Sequence, residues 1–198
     1  MKRILIILLT AILLIVTACG DGDGAENTSE NSDEANDTTL EKTKGDDQEA
    51  TDGEILVYQI GETAVITSDL YGFDYEVTVT DFNLTREVDD VKLEDYWNVG
   101  DSGLERFAVV DVTIRNISDE SYVPNEMFSA NFARENDRGG VTSEDEFFEV
   151  GDKELAPGEE LEGHLVYVIL LDDSETFTLK YEFMSAEETH FILPNPEK

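Results

Sequence analysis

The chain has 198 residues, 47 of them Asp or Glu and 13 Lys or Arg, for a formal net charge of −34. A hydrophobic content of 40% is enough for one packed core and excludes a uniformly disordered chain, while a field of that sign excludes DNA and RNA as partners. One cysteine excludes an internal disulfide and any cysteine-clustered zinc or iron–sulfur centre.

Met1-Lys2-Arg3 is followed by an apolar run from Ile4 to Val16 and then by small residues ending at Cys19, which is the order of a signal peptide. The run is short for a bilayer core, which needs roughly 20 helical residues, so removal is expected over a permanent span. Val16-Thr17-Ala18-Cys19 resembles the lipobox of bacterial lipoproteins, in which the cysteine thiol receives diacylglycerol and the chain is cut before it. On that reading residues 1–18 are the signal peptide and Cys19 is the lipidation site. The partner it implies is the lipid bilayer, and the location is the extracytoplasmic side of the cell membrane. Two or three acyl chains hold a protein on a membrane where one holds it only marginally.

Residues 19–54 form the next section. From Gly20 to Glu54 there are 13 acids against Lys42 and Lys44, and Leu40 is the one aliphatic residue larger than Ala. Such a composition cannot offset its own ordering entropy, so a disordered, self-repelling acidic tether is expected. Asp21-Gly22-Asp23-Gly24 starts like an EF-hand loop but lacks the later ligands, with Ala25, Glu26 and Ser32 where Asp or Asn, Gly and Glu are required.

Residues 55–198 read as a domain of antiparallel strands, from apolar alternation broken by turn residues. A weak strand is expected near 62–67. Phe73, Tyr75, Val77 and Val79 share one face of the next, and past Asp81 the phase slips to Phe82 and Leu84, which predicts a bulge. Ala108, Val110, Val112 and Ile114 mark a long strand, Phe128, Ala130 and Phe132 a short one, and 141–148 a weak one. Leu161, Gly163, Leu165, Tyr167 and Ile169 alternate next, then Phe177, Leu179, Tyr181 and Phe183, with a last strand near 188–193. About eight strands in this length suit an all-β, immunoglobulin-like antiparallel β-sandwich.

Two stretches carry more than pattern: Arg106-Phe-Ala-Val-Val-Asp-Val-Thr-Ile-Arg-Asn116 and Leu155-Ala-Pro-Gly-Glu-Glu-Leu-Glu-Gly-His-Leu-Val-Tyr167. They resemble the core motifs of a bacterial lipoprotein domain family of unknown function, domain-of-unknown-function family 4352, over roughly residues 58 to 184. The resemblance implies a telokin-like, immunoglobulin-like fold and brings no catalytic residues with it. This chain departs from the pattern in its acid excess and in the long segment 85–103.

No motif for a nucleophile, a phosphate loop or a zinc hydrolase occurs, and His164 and His190 have no motif neighbours, so no catalytic residue and no enzymatic activity are expected. If consecutive strands alternate in direction, the links 85–103, 134–140 and 171–175 emerge at one end. Asp89, Asp90, Glu94, Asp95, Asp137, Asp172 and Asp173 are then candidate Ca²⁺ ligands, since hard cations take six to eight oxygens. The competing reading is a solvated acidic face, with no cofactor. Tyr96-Trp97 is either a stacking platform for a sugar or peptide, or the pin that holds a long loop on the sandwich. The function expected is a membrane-anchored, non-enzymatic binding or interaction module, with an envelope protein or the cell wall as partner. The alternatives are a passive structural envelope protein with a solvating acidic surface, a calcium-assisted surface-binding protein, and a secreted hydrolase.

Overall fold

The computed structural model describes residues 53–128 and 130–198; the signal peptide, Cys19 and the acidic tether to residue 52 lie outside the described residues. The strands are β1 (Glu54–Gln59), β2 (Thr63–Thr67), β3 (Asp74–Thr85), β4 (Glu87–Val88), β5 (Val91–Lys92), β6 (Glu105–Asn116), β7 (Ala130–Arg134), β8 (Glu160–Leu170), β9 (Thr176–Tyr181) and β10 (Glu187–Pro194). Two one-turn helices, α1 (Leu93–Tyr96) and α2 (Pro124–Met127), and two 3₁₀ turns, Asp145–Phe147 and Glu149–Asp152, complete the elements.

Eight strands make an immunoglobulin-like β-sandwich of two four-stranded sheets. The first has the order β1-β10-β9-β7 and the second β2-β3-β6-β8, while β4 and β5 pair as a separate hairpin. Pairing is antiparallel except between β1 and β10, which run parallel. The core lies between the sheets. Alternation delivers Tyr75, Val77 and Val79 from β3 and Ala108, Val110, Val112 and Ile114 from β6. Leu165 and Tyr167 come from β8, Phe177, Leu179 and Tyr181 from β9, and Phe191 and Leu193 from β10. The expected phase slip is a bulge: β3 and β6 shift register between Val79 and Asp81, which keeps Phe82 inside after an odd number of residues.

Asn116 does more than end β6. Its side chain is fully buried and donates from Nδ2 to the carbonyls of Glu120 (2.7 Å) and Leu155 (2.9 Å), while its Oδ1 accepts from the Ser118 backbone N–H (2.9 Å) and hydroxyl (2.7 Å). It ties the strand to the turn before β8, where the Gly158 N–H donates to the Asn116 carbonyl.

Two expectations change. Residues 54–59 are a strand, masked in the sequence because Ile55-Leu56-Val57-Tyr58 is a continuous apolar run without alternation. Residues 141–148 are not one: Val141 bridges Phe132 of β7, and a 3₁₀ turn follows. The cause is the adjacent pair Phe147-Phe148. Phe148 enters the core between the sheets and Phe147 a second cluster on the far side of β8, so the segment must wrap around the β8 edge rather than extend along it. The Glu144 N–H donates to the Val166 carbonyl there (2.8 Å).

The registers set the two ends of the sandwich. Thr85 pairs with Phe107, Glu105 with Leu170, and Arg134 with Phe177, so the links 86–104, 135–140 and 171–175 leave from one end. The start of β1, the loop 68–73 and the loop 182–186 lie at the other.

Candidate functional site

The outer face of the β2-β3-β6-β8 sheet is covered. Phe107 and Val109 on β6, and Val166 and Val168 on β8, project away from the core and meet Val88, Val91, Leu93, Tyr96 and Val99 from the 86–104 segment, together with Phe147. Leu93 and Phe107 are fully buried. The sequence signal was present but easily passed over: a sheet face exposed to water alternates to polar residues, whereas Phe107, Val109, Val166 and Val168 do not.

The structure separates Tyr96 from Trp97. Tyr96 packs against Phe107 (5.6 Å between centroids) and Phe147 (5.3 Å), and its hydroxyl donates to Glu144 Oε2 (2.7 Å). Burial, with the Glu144 and Glu146 carboxylates beside it, raises the phenol well above its ordinary pKa. Tyr96 is the pin that seats the segment. Trp97 is 48% exposed.

Between the β4–β5 hairpin, the two 3₁₀ turns and β8 runs an open groove of about 580 Å³. Its apolar surface comes from Val91, Phe147 and Val150, and its charges are Asp89, Glu146, Glu149 and Glu162, with His164 among them. Asp89 reaches the groove because the hairpin turns on two residues, Asp89 and Asp90, both left-handed (φ 50° and 66°), as a tight two-residue turn requires. Its Oδ2 lies 3.0 Å from His164 Nε2. His164 faces Asp111 on β6, and Asp111 faces Asp81 on β3, so with Asp89 an imidazole and three carboxylates form a row across this face. Burial pushes the Asp111 carboxyl above its ordinary range, His164 opposing and Asp81 adding to the rise. His190 lies on the other sheet, where its Nε2 is 2.8 Å from Glu188 Oε2.

The seven acids proposed for calcium are not brought together. Asp89 and Asp90 fold back over the sheet with the hairpin, away from the end. Glu94 is bound by Arg86, whose guanidinium holds its carboxyl below the usual range. Asp95 shares the α1 turn with Glu94. Arg134 takes Asp137 at 2.9 Å and Asp172 at 3.6 Å, the Ser174 hydroxyl and N–H keep the Asp172 pKa low, and Asp173 is 3.8 Å from the Lys198 ammonium. The three links share one end, where Arg86 faces Glu94, Arg134 faces both Asp137 and Asp172, and Lys198 faces Asp173. Among the described residues no three Asp, Glu, His or Cys side chains form a metal-ligating group.

No curated protein matches the chain. Solved structures do. A conserved hypothetical protein of Bacillus anthracis is 20% identical with a TM-score of 0.41, over 61% of this chain and 90% of that one. An uncharacterized β-sandwich protein of Clostridium difficile 630 is 15% identical with a TM-score of 0.44, over 71% and 95%. The secreted protein MPT63 of Mycobacterium tuberculosis is 12% identical with a TM-score of 0.41, over 70% and 96%. Residues 71–189 match the family model DUF4352, a domain of unknown function, and the chain belongs to that family.

Proposed function

We propose that this protein is a lipid-anchored, extracytoplasmic lipoprotein whose sandwich is a non-enzymatic binding module for a cationic ligand, such as a lysine-bearing peptide or a polyamine. The anchor reading is supported by the order of Lys2-Arg3, the Ile4–Val16 run and Cys19. The binding reading is carried by one observation: the groove beside β8 combines four carboxylates with an apolar surface of Val91, Phe147 and Val150, and among the described residues no Lys or Arg lines it. An aliphatic stem laid on those three residues would place its ammonium among Asp89, Glu146, Glu149 and Glu162. Each exposed pair contributes only about 0.2–1 kcal/mol, so selectivity has to come from several carboxylates acting on one polycation.

The test is calorimetric titration of the mature full-length chain with spermidine and with a short lysine-rich peptide, and thermal melts in NaCl, MgCl₂ and CaCl₂ at matched ionic strength. Saturable binding that falls at least tenfold in the triple variant Glu146→Gln, Glu149→Gln, Glu162→Gln is expected. Heat and melting shifts that depend on ionic strength alone, unchanged in the variant, would refute it. That outcome favours the passive reading, a surface whose charge and reach are its function, which the pairing of Glu94, Asp137, Asp172 and Asp173 with Arg86, Arg134 and Lys198 supports.

A further inference from the structure

The two most exposed large apolar side chains of the described domain, Leu70 (80%) and Met184 (82%), stand on neighbouring loops at the end of the sandwich where β1 begins. Tyr71, beside Leu70, is also exposed. Neither loop is a loose excursion. Glu182 ties them together: its Oε2 accepts from the Asp69 N–H (3.1 Å) and its Oε1 from the Tyr75 hydroxyl (3.1 Å). Ser68 closes the first loop, its carbonyl accepting from the Gly72 N–H and its hydroxyl from the Tyr71 N–H. Glu182 and Met184 are both left-handed (φ 52° and 68°), and the Met184 N–H donates to Glu188 Oε1, so the turn holds the thioether outward at the expense of backbone strain. The carboxylate these loops share is engaged inward, while Leu70 and Met184 stay exposed.

The chain enters the domain at this same place. The Glu54 N–H donates to the Ala186 carbonyl (3.0 Å), and Gly53 packs so closely on the 182–186 loop that a Cβ there would lie 2.9 Å from the Ser185 and Ala186 carbonyl oxygens. Everything N-terminal to it, including the acidic stretch and Cys19, therefore attaches beside Met184. We propose that Leu70, Tyr71 and Met184 form a lipid-contacting tip that dips into the headgroup–acyl boundary of the bilayer, so that the anchored domain stands with its Arg134–Asp172 end away from the membrane. This rests on the anchor reading given above. Leu and Met supply apolar area and Tyr an amphipathic ring suited to that boundary. The exposed Asp69, Asp74 and Glu187 at this end keep the rest of the surface off anionic headgroups, so contact is deeper on zwitterionic lipid than on lipid rich in phosphatidylglycerol.

The experiment uses the mature full-length chain in phosphatidylcholine vesicles. Acyl attachment at Cys19 is measured by mass spectrometry, and an environment-sensitive fluorophore is placed on Met184→Cys or, at the opposite end, on Asp173→Cys. A blue shift at position 184 and loss of roughly half or more of its emission to shallow doxyl lipids, as for a probe within ~5–10 Å of the interface, with position 173 unchanged, is the expected result. Leu70→Asp in the labelled chain should abolish the shift without releasing the protein from vesicles. An acylated, vesicle-bound chain with both probes in water overturns the tip and leaves the anchor standing, as does equal quenching at both ends. A blue shift that needs no vesicles and grows with protein concentration assigns the tip to a second copy and overturns lipid contact. A chain without acyl attachment overturns the anchor and the tip together.

Discussion

Gly163 and Gly151 hold the ring of Phe148 between them. A Cβ on Gly163 would lie 2.6 Å from Phe148 Cε2, 3.0 Å from Cδ2 and 2.8 Å from Val150 Cγ2, and a Cβ on Gly151 would lie 2.5 Å from Phe148 Cδ1 and Cε1. The ring is thus confined on both edges and cannot retreat from an added methyl. Gly163→Ala should therefore fall in the upper part of the overpacking range, about 2–3 kcal/mol, or roughly 5–10 °C for a domain of this size. Gly139→Ala, with nothing within 4 Å of the new carbon, should be neutral. Phe148→Leu alone should cost roughly 1–2 kcal/mol by loss of buried ring atoms. The decisive quantity is the double variant. Leucine makes room for the methyl, so its loss should be smaller than the sum by about 1–2 kcal/mol, measured from urea and thermal unfolding followed by circular dichroism. A neutral Gly163→Ala, or additivity within about 0.5 kcal/mol, would refute the clamp.

Two further predictions concern the covered face. Tyr96→Ala should lower stability by about 3 kcal/mol or more and loosen the 86–104 segment to proteolysis, while Trp97→Ala, at an exposed site, should stay within about 0.5 kcal/mol of the parent; equal losses for both would overturn the assignment of Tyr96 as the pin. Asp111 has a raised pKa in the fold, so its cost is absent where both folded and unfolded carboxyls are protonated and develops as pH rises. Asp111→Asn should then raise the melting temperature at pH 8, by less than about 1 kcal/mol equivalent because water reaches the carboxyl, and leave it unchanged near pH 3. A gain equal at both pH values would attribute it to something other than charge.

The sandwich was legible in the chain because alternation maps directly onto two-sided burial: seven of the eight sheet strands, and even the bulge between Val79 and Asp81, follow from which residues are apolar at spacing two. What stayed hidden was the covering of the second sheet. Tyr96 reads as a loop residue until Phe107 and Phe147 are known to lie beneath it, and Phe147-Phe148 reads as a strand until each ring is seen to enter a different cluster. The candidate groove was equally hidden, since Asp89, Glu146 and His164 are far apart in sequence and meet only because the hairpin and the 3₁₀ turns converge on β8. The acidic end is legible as a place, from strand direction, but not in which side chains face one another there. Strand direction decides where links emerge, whereas the four basic groups Arg86, Arg134, Lys198 and His164 decide what each of Glu94, Asp137, Asp172, Asp173 and Asp89 faces.

One short segment touches the edges of both sheets. Val141 pairs with Phe132 on β7, and three residues later Glu144 bonds Val166 on β8, so the same piece of chain bonds both strand edges that flank one side of the sandwich. Unpaired edges are templates for strand addition and aggregation. A single nick between Val141 and Glu144 would loosen both contacts at once, so one four-residue stretch guards a point on each edge of this highly charged domain.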